Sequence, residues 1–342
     1  MTGSRHGFDF QNLHRNKRAI ELNLKAPEGH AVFMRLVETA DVVVENMRPS
    51  VKARLKVGYD DVRAINPGII YGSISGFGQD GPYGPRAGVD QIAQGMGGLM
   101  SITGQPGQGP LRVGVPIADL TAGNLLALGI TMALFQRTRT GVGRWISTSL
   151  LEAQIFMLDF QAARWLMAGQ VAPQAGNNHP TMIPTGVFPT SDGHINIAAS
   201  SGRAWERLCD VLGRSEWKTK PEWRTVDGRS RDRQSINAAI GDVTRAHSAE
   251  HWIGALEEAG VPCGPIYTID QVFEDPQVRH LGMATPLPDA ETSVVASPLN
   301  FSNIPRGVRR ATPEAGQHTD EVLRAAGYSA ADIADLRQKG IV

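Results

Sequence analysis

Apolar and polar positions in the first part of the chain change between a helical and a strand period. Residues 27–40 repeat apolar side chains at helical spacing, as an amphipathic helix does. Residues 41–47 and 66–76 are short runs rich in β-branched side chains, which is typical of buried strands. Because buried strands that alternate with helices form βαβ units, the pattern predicts an α/β fold with a parallel sheet.

The pattern continues with a loop, two long helical stretches and a hairpin. Residues 76–88 are rich in Gly and Pro and predict a loop. Residues 116–138 and 147–168 have helical spacing. The chain then becomes polar and rich in Pro, Gly and Asn, which predicts a linker or a long loop. Residues 186–200 predict a hairpin that turns at Asp192-Gly193.

The last part of the chain predicts a second, smaller domain. Its helical patterns lie at residues 203–213, 232–246 and 249–259, followed by a turn, a strand and a short helix within 260–278. A final helical pair is predicted at 317–339. The predicted division is a large domain over 1–184, a small domain over 185–295 and a return to the large domain over 296–342.

Composition narrows the class of protein. Lys+Arg and Asp+Glu both number 34, so the chain lacks the basic excess of a nucleic-acid binder. The two cysteines, Cys209 and Cys263, are far apart and have no CxxC spacing, which argues against a disulfide framework or a zinc site and favours a reducing cytoplasm. The first 18 residues lack the apolar region of a signal peptide.

The longest apolar run argues against a membrane protein. Residues 122–135 fall short of the roughly 20 residues that a membrane span needs. The run is therefore predicted to be a buried core helix. No nucleic-acid or membrane partner is expected.

Two motifs lie where strands are predicted to end. Residues 76–81, GFGQDG, match the dinucleotide pattern G-x-G-x-x-G, but the prolines at 82 and 85 leave no room for the helix that this fingerprint requires. The stretch is instead predicted to be a plain loop or a loop that comes close to a ligand. Asn46 and Arg48 follow a predicted strand, where ligands bind in open parallel sheets. The spacing alone favours a solvated turn before a helix that starts at Pro49.

Residues that carry other chemistry are scattered. His247 and His251 have i,i+4 spacing without acidic partners for a metal, and no G-x-S-x-G elbow occurs. The basic residues 14–18 could bind phosphate, although such a run is commonly a solvated surface. Neither a zinc hydrolase nor a serine hydrolase is indicated.

Two carboxylates interrupt the apolar stretch 143–167. Ser149 and Glu152 fit the S-x-x-E capping box, so Glu152 has a purely structural explanation. A helix N-terminus also stabilises negative charge, and an ionised carboxylate is a competent nucleophile toward an activated acyl group. Asp159 is predicted on about the same helical face, two turns on, paired with Arg164 or facing a polar groove.

An ordered set of motifs resembles the class III CoA-transferases, the family of formyl-CoA transferase, carnitine CoA-transferase and α-methylacyl-CoA racemase. The resemblance covers nearly the whole chain. Its motifs are, in order, NKRAIELNLK (16–25), ADVVVENMRPS (40–50), NPGIIYGSISGFGQDGPY (66–83), DQIAQGMGGLMSITG (90–104), GVPIADLTAG (114–123), GVGRWISTSLLEAQ (141–154), AGVPCGPI (259–266) and GQHTDEVLRAAGYSAADIADLRQKGIV (316–342).

The resemblance implies a fold, an assembly and a reaction. Members have a Rossmann-like large domain built from both chain ends, an inserted α+β domain and an interlocked homodimer. No permanently bound cofactor is implied, since coenzyme A and its esters are substrates. An Asp in the family attacks the acyl-CoA thioester and forms a mixed anhydride, and then an enzyme–CoA thioester. The position of that Asp is Glu152 here. The family's contacts to CoA match Leu22, Lys25, Asn46, Met47, Arg54 and Leu55.

Departures from the family pattern define the alternatives. Glu replaces the family's Asp. Members begin with a further βα segment that supplies a sheet strand and an arginine for CoA. Residues 170–200 lack the glycine-rich loop of formyl-CoA transferase.

The first hypothesis is a cytoplasmic, dimeric CoA-transferase, with Asp159 as the reserve nucleophile. The second is a weakened or inactive homologue that binds CoA or only pairs with a full-length relative. Val89 at the position of the racemase His argues against racemization.

Overall fold

The protein is described by a computed structural model over residues 7–288 and 291–342. Helices dominate the described part of the chain. In chain order they are α1 (Phe8–His14), α2 (Pro27–Val37), α3 (Pro49–Leu55), α4 (Tyr59–Ile65), α5 (Asp90–Met96), α6 (Leu99–Ile102), α7 (Ile117–Thr140), α8 (Leu150–Phe156), α9 (Phe160–Ala168), α10 (Gly202–Val211), α11 (Val226–Arg231), α12 (Arg233–Thr244), α13 (Ala249–Glu258), α14 (Ile269–Glu274), α15 (Pro276–His280), α16 (Thr319–Ala325) and α17 (Ala330–Gln338). Two short 3₁₀ helices span Ser215–Lys218 and Pro221–Trp223.

The strands of the described residues form three small sheets. They are β1 (Val42–Glu45), β2 (Ile70–Ser75), β3 (Arg144–Ser149), β4 (Thr185–Pro189), β5 (His194–Ala198), β6 (Cys263–Pro265), β7 (Ala284–Pro286) and β8 (Ser293–Val295). The sheet β1-β2-β3 is parallel, whereas β4-β5-β6 and β7-β8 are antiparallel. The predictions of a mixed α/β fold with a parallel sheet, and of a hairpin turning at Asp192-Gly193, are confirmed.

The chain divides into two compact units. The first contains residues 1–89, 118–153 and 269–342, and the second contains 90–117 and 154–268. The unit with the parallel sheet is thus built from both chain ends. These boundaries differ from the predicted domain limits, since residues 90–117 and 154–184 lie in the second unit and 269–295 in the first.

In the first unit the parallel sheet is covered by helices on both faces. On one side Val37, Val62, Ile69 and Tyr71 are buried together between the sheet and helices α2 and α4. On the other side helix α7 approaches so closely that a Cβ at Gly72 would lie 2.9 Å from Ile130 Cδ1. Gly72 therefore allows α7 to pack against the middle strand.

Helix α7 has nearly the predicted bounds but is more exposed than the sequence predicts. Within the described residues, Ile117–Thr140 is long and apolar enough to cross a membrane by length and composition, and 28% of its most apolar window is buried. The prediction of a buried core helix is therefore wrong for its outer face. Leu128, Met132 and Phe135 are all more than half exposed on that face, at 55%, 64% and 61%.

The second unit has its own core behind an antiparallel sheet. Side chains from β4, β5, α10, α12 and α13 form this core, with Phe188, Ile197 and Leu208 almost fully buried. Arg229 is 1% exposed, and its guanidinium donates to three backbone carbonyls, those of Ile183, Ser200 and Trp223. These three hydrogen bonds offset the cost of burying the guanidinium and tie the three backbone segments together.

The predicted helix over residues 147–168 is wrong. The stretch begins as strand β3, turns into the short helix α8, and breaks before α9. Asp159 occupies the break with φ of +47°, a backbone conformation that a helix interior does not allow. The apolar side chains of two short helices had merged into one apparent helical period.

Candidate active site

The three parallel strands end at one edge of their sheet. Glu45, Ser75 and Ser149 are the last residues of β1, β2 and β3, and Ser75 is paired with Ser149 in the register. The segments that follow them therefore emerge side by side. Ligands of open parallel sheets bind at this edge.

Glu152 lies at this edge in the first turn of α8. Ser149 Oγ accepts a hydrogen bond from the Glu152 backbone N–H at 3.1 Å, and the Ser149 hydroxyl donates to Glu152 Oε2 at 2.7 Å. The predicted capping interaction thus forms, but the carboxylate is held by a hydroxyl and not by a backbone N–H. Glu152 is exposed in the chain while Ser149 is fully buried. The result is a reachable carboxylate on a fixed support.

Asp159 does not share the face of Glu152 as predicted. Helix α8 ends at Phe156, so the two acids do not lie two turns apart on one helix. The Arg164 side chain bonds to Gln161, and no ion pair between Arg164 and Asp159 is found among the described residues. Asp159 instead precedes α9, in the left-handed half of backbone space.

The glycine-rich stretch 76–88 is a closed loop at the same edge. Gly76 and Gly88 approach so closely that a Cβ on Gly76 would lie 2.5 Å from Gly88 Cα. Leu151, one residue before Glu152, donates its N–H to Gly76 O at 3.2 Å. No helix starts inside the loop, because α5 begins at Asp90. The dinucleotide fingerprint therefore lacks the helix that it requires, as the sequence predicts.

A buried polar network underlies the edge, and the sequence analysis missed it. Lys52 Nζ, on α3, donates to Glu45 Oε1 at 2.8 Å, to Ser73 Oγ at 3.3 Å and to Gln79 Oε1. Lys52 and Glu45 are each 7% exposed. The ring of Trp145 lies 5.1 Å from the ammonium, and its Nε1 donates to Ser73 Oγ. The only local sign of this network in the sequence is Glu45, a charged residue directly after the apolar run 42–44.

The network fixes the segments that follow β1 and β2. Glu45 Oε2 accepts the N–H of Met47 at 2.7 Å, which holds the first turn after β1. Gln79 Nε2 donates to Ser75 Oγ at 3.4 Å, which ties the glycine-rich loop to the end of β2. Lys52 therefore joins both loops through one buried charge.

Tyr71 is a structural neighbour of this network. Its hydroxyl donates to Val57 O at 2.8 Å, and its side chain is buried. Burial, followed by the negative charge of Glu45, raises the pKa of Tyr71 well above its usual range. The phenol therefore stays neutral and supplies no base.

The residues matched to CoA contacts fall into two groups. Asn46, Met47, Arg54 and Leu55 belong to the segment that leaves β1 and forms α3, while Leu22 and Lys25 precede α2. Asn46, Lys25 and Arg54 are exposed, and Leu22, Met47 and Leu55 are half-buried. A bond of 2.9 Å between His30 Nε2 and Lys56 O joins α2 to the end of α3.

The charges of these two groups suit an anion. In residues 7–288 and 291–342, neither Lys25 nor Arg54 forms an ion pair with a carboxylate. The prediction that Pro49 starts a helix holds, so Arg54 lies on α3 and not in a solvated loop. Two unneutralised cations thus lie on segments next to the carboxyl edge.

The described residues hold no cluster of three or more His, Cys, Asp or Glu side chains that could bind a metal ion. The rings of His247 and His251 contact each other in a tilted arrangement, with centroids 4.2 Å apart. Val89 is exposed just after the glycine-rich loop and carries no group that transfers protons.

The protein thus has a mixed α/β fold with an exposed carboxylate at the carboxyl edge of its parallel sheet. Comparison with known proteins identifies its class. A sequence model of CoA-transferase family III matches residues 2–319. The chain belongs to this family and is an enzyme of the CoA-transferase class.

Individual relatives support the same assignment. The succinate–glutarate CoA-transferase of Agrobacterium fabrum is 37% identical over 92% of this chain and 79% of its own length. The succinyl-CoA–D-citramalate CoA-transferase of Chloroflexus aurantiacus is 33% identical over 96% of this chain and 83% of its own. The crystal structure of a CaiB/BaiF family protein from Brucella suis superposes with a TM-score of 0.80 at 33% identity, covering 93% of this chain and 83% of that one.

Proposed function

We propose that the protein transfers coenzyme A from an acyl-CoA donor to a small carboxylic acid, with Glu152 as the covalent nucleophile. The observation that carries this proposal is an exposed carboxylate, held by the Ser149 hydroxyl, at the carboxyl edge of a parallel sheet. The named relatives act on succinate, glutarate and D-citramalate, which are dicarboxylic acids. We extend this substrate class to the present chain.

The first half of the reaction loads CoA onto the enzyme. A Glu152 oxygen attacks the thioester carbonyl, the C–S bond breaks, and CoA thiolate leaves an acyl-glutamyl anhydride. The thiolate then attacks the Glu152 carbonyl carbon of the anhydride. The donor acid leaves as its carboxylate, and a glutamyl–CoA thioester remains.

The second half repeats these steps in reverse order. The acceptor carboxylate attacks the glutamyl–CoA thioester and expels CoA thiolate, which gives an acceptor–glutamyl anhydride. The thiolate attacks the acceptor's carbonyl carbon, which releases the new acyl-CoA and restores the Glu152 carboxylate. No net proton is consumed. A carboxylate without a tightly bound cation is the group that this cycle needs.

The proposed CoA contacts are Leu22, Lys25, Asn46, Met47, Arg54 and Leu55. The cations among them, Lys25 and Arg54, attract the phosphates of CoA, while the half-buried Leu22 and Leu55 offer apolar surface. This assignment is supported by the position of these residues on two segments, the one before α2 and the one that forms α3. The bond between His30 and Lys56 O joins these segments.

We also propose that the protein is a cytoplasmic homodimer with a Rossmann-like large domain. Leu128, Met132 and Phe135 form an exposed apolar stripe on α7, and a monomer rarely leaves such a stripe uncovered. Both cysteines are free thiols, which suits a reducing compartment. Phe135→Glu should shift the mass measured by light scattering to that of one chain. The exposed Glu258→Lys should leave it unchanged.

The covalent step is tested by trapping. The enzyme is incubated with succinyl-CoA, treated with hydroxylamine or borohydride, and digested for mass spectrometry. Modification at Glu152 supports the proposal, and Asp159→Asn should give the same label. Full turnover with Glu152 unmodified would reject its role, and a label on Asp159 would move the nucleophile there. CoA binding in calorimetry without any turnover would instead assign a non-catalytic CoA-binding homologue.

A further inference from the structure

The glycine-rich loop holds one guanidinium in a defined position. Arg86 Cζ lies 4.5 Å from the ring centroid of Tyr83 and 5.3 Å from that of Phe77. The two rings meet edge to face with centroids 5.9 Å apart. A cation over aromatic faces is attracted by them without losing its hydrogen-bonding edge. The guanidinium of Arg86 is thus held in one orientation, while its N–H groups remain able to donate hydrogen bonds to a ligand.

The loop that carries Arg86 is itself fixed. Ser75 Oγ donates to Gly78 O at 2.8 Å and accepts the Gly78 N–H at 3.1 Å, which fastens the start of the loop. The contact between Gly76 and Gly88 closes it. A compact loop packed by its own side chains presents its surface groups reproducibly.

Two short links connect Arg86 to the nucleophile. Phe77, under the guanidinium, directly follows Gly76, and Gly76 O accepts the N–H of Leu151. Leu151 directly precedes Glu152. The cation and the carboxylate therefore emerge from hydrogen-bonded segments at one edge of the sheet. No carboxylate of the described residues neutralises Arg86.

We infer that Arg86 binds the carboxylate of a dicarboxylic substrate that does not react. This inference rests on the proposed function and adds the residue that selects the substrate class. The reacting carboxyl of such an acid is bound covalently to Glu152, while its second carboxylate remains charged and needs a cation. A guanidinium fork matches a carboxylate in two parallel hydrogen bonds. The exposed, oriented and unneutralised guanidinium of Arg86 meets that need.

The test compares two acceptors with one donor. Glutarate and pentanoate have the same carbon chain but differ in the second carboxylate, and their ratio of kcat/KM cancels the donor half-reaction. Arg86→Gln should lower the glutarate-to-pentanoate ratio by about tenfold to a hundredfold, since a charge-assisted bond to a carboxylate is lost. Arg86→Lys should fall between, because it keeps the charge and loses the fork.

The matched control is Arg63→Gln. Arg63 on α4 also lies over an aromatic ring, 5.9 Å from the centroid of Tyr59, but α4 precedes the amino end of β2. Its ratio should equal that of the unchanged protein. An unchanged ratio in both Arg86 variants would overturn the inference while leaving the proposed function intact. Failure of the unchanged protein to transfer CoA to either acid would overturn both.

Discussion

Two glutamates at one edge of the same sheet differ in almost everything except chemistry. Glu45 ends β1, is 7% exposed and is paired with the buried Lys52 at 2.8 Å. Glu152 follows β3, is exposed and is held by the hydroxyl of Ser149. A desolvated carboxylate paired with an ammonium holds its neighbours in place, and each charge then depends on the other. An exposed carboxylate supported by a neutral donor keeps lone pairs for reaction. Surroundings, not residue type, separate the structural role of Glu45 from the role proposed for Glu152.

The largest effect is expected from removing the charge of the exposed carboxylate, Glu152. Glu152→Gln should lower kcat by about ten-thousandfold, because the amide cannot form the anhydride. The unfolding midpoint should stay nearly constant, since no buried charge is disturbed. Transfer is measured by chromatography of CoA esters and unfolding by circular dichroism. Retention of more than a tenth of the activity would exclude Glu152 as the nucleophile.

A conservative variant provides the control for geometry. Glu152→Asp keeps the charge but draws the oxygens back by about 1.5 Å, one bond length. A loss of about a hundredfold is expected, since misplacement of that order costs about as much. Activity equal to that of the unchanged enzyme would show that the Ser149 support does not set the position of the oxygens.

At the buried carboxylate the expected effect is on stability. Lys52→Met should lower the free energy of unfolding by about 3–5 kcal/mol, because Glu45 is left buried without a counter-charge. Urea unfolding measures it. The double variant Glu45→Gln with Lys52→Met should recover part of the loss, since it leaves no charge unpaired. If Lys52→Met alone unfolds at the same urea concentration as the unchanged protein, the buried pair has no stabilising role.

The sequence predicted the parts of this edge that depend on local pattern. The strand at 41–47, the loop at 76–88 and the helix starting at Pro49 are all present. Apolar runs bounded by Gly, Pro and charged residues carry that information within a few positions. The order of motifs then identified the family, and the resemblance made Glu152 the candidate nucleophile.

What escaped prediction depends on contacts made by the fold. Strand β3 has the mixed sequence RWISTS with no clear alternation, and its pairing with β2 makes it a strand. The break at Asp159 is concealed because apolar residues stand on both sides of it. The contact of Lys52 with Gln79 joins residues 27 positions apart. Tertiary pairing decides each of these features, and no local period records it.

The smallest expected effect sharpens the comparison at Ser149, which supports the proposed nucleophile. Ser149→Ala removes the hydroxyl that accepts the Glu152 N–H and donates to Oε2. Loss of a helix-capping side chain costs about 1 kcal/mol of stability. The freed carboxylate samples more rotamers, so kcat should fall by about tenfold, while KM for the acyl-CoA stays within about twofold because Ser149 is not among the proposed CoA contacts.

The control for this prediction is Ser147→Ala, which removes an exposed hydroxyl two residues earlier on the same strand. It should change neither kcat nor the unfolding midpoint. If Ser149→Ala and Ser147→Ala change kcat and the unfolding midpoint by the same amount, any effect comes from the strand. The bond from Ser149 to Oε2 then does not position the nucleophile. If kcat falls in Ser149→Ala but not in Ser147→Ala, the hydrogen bond from the Ser149 hydroxyl to Oε2 positions the Glu152 carboxylate. Because this donor is neutral, it would fix the carboxylate without neutralising its charge.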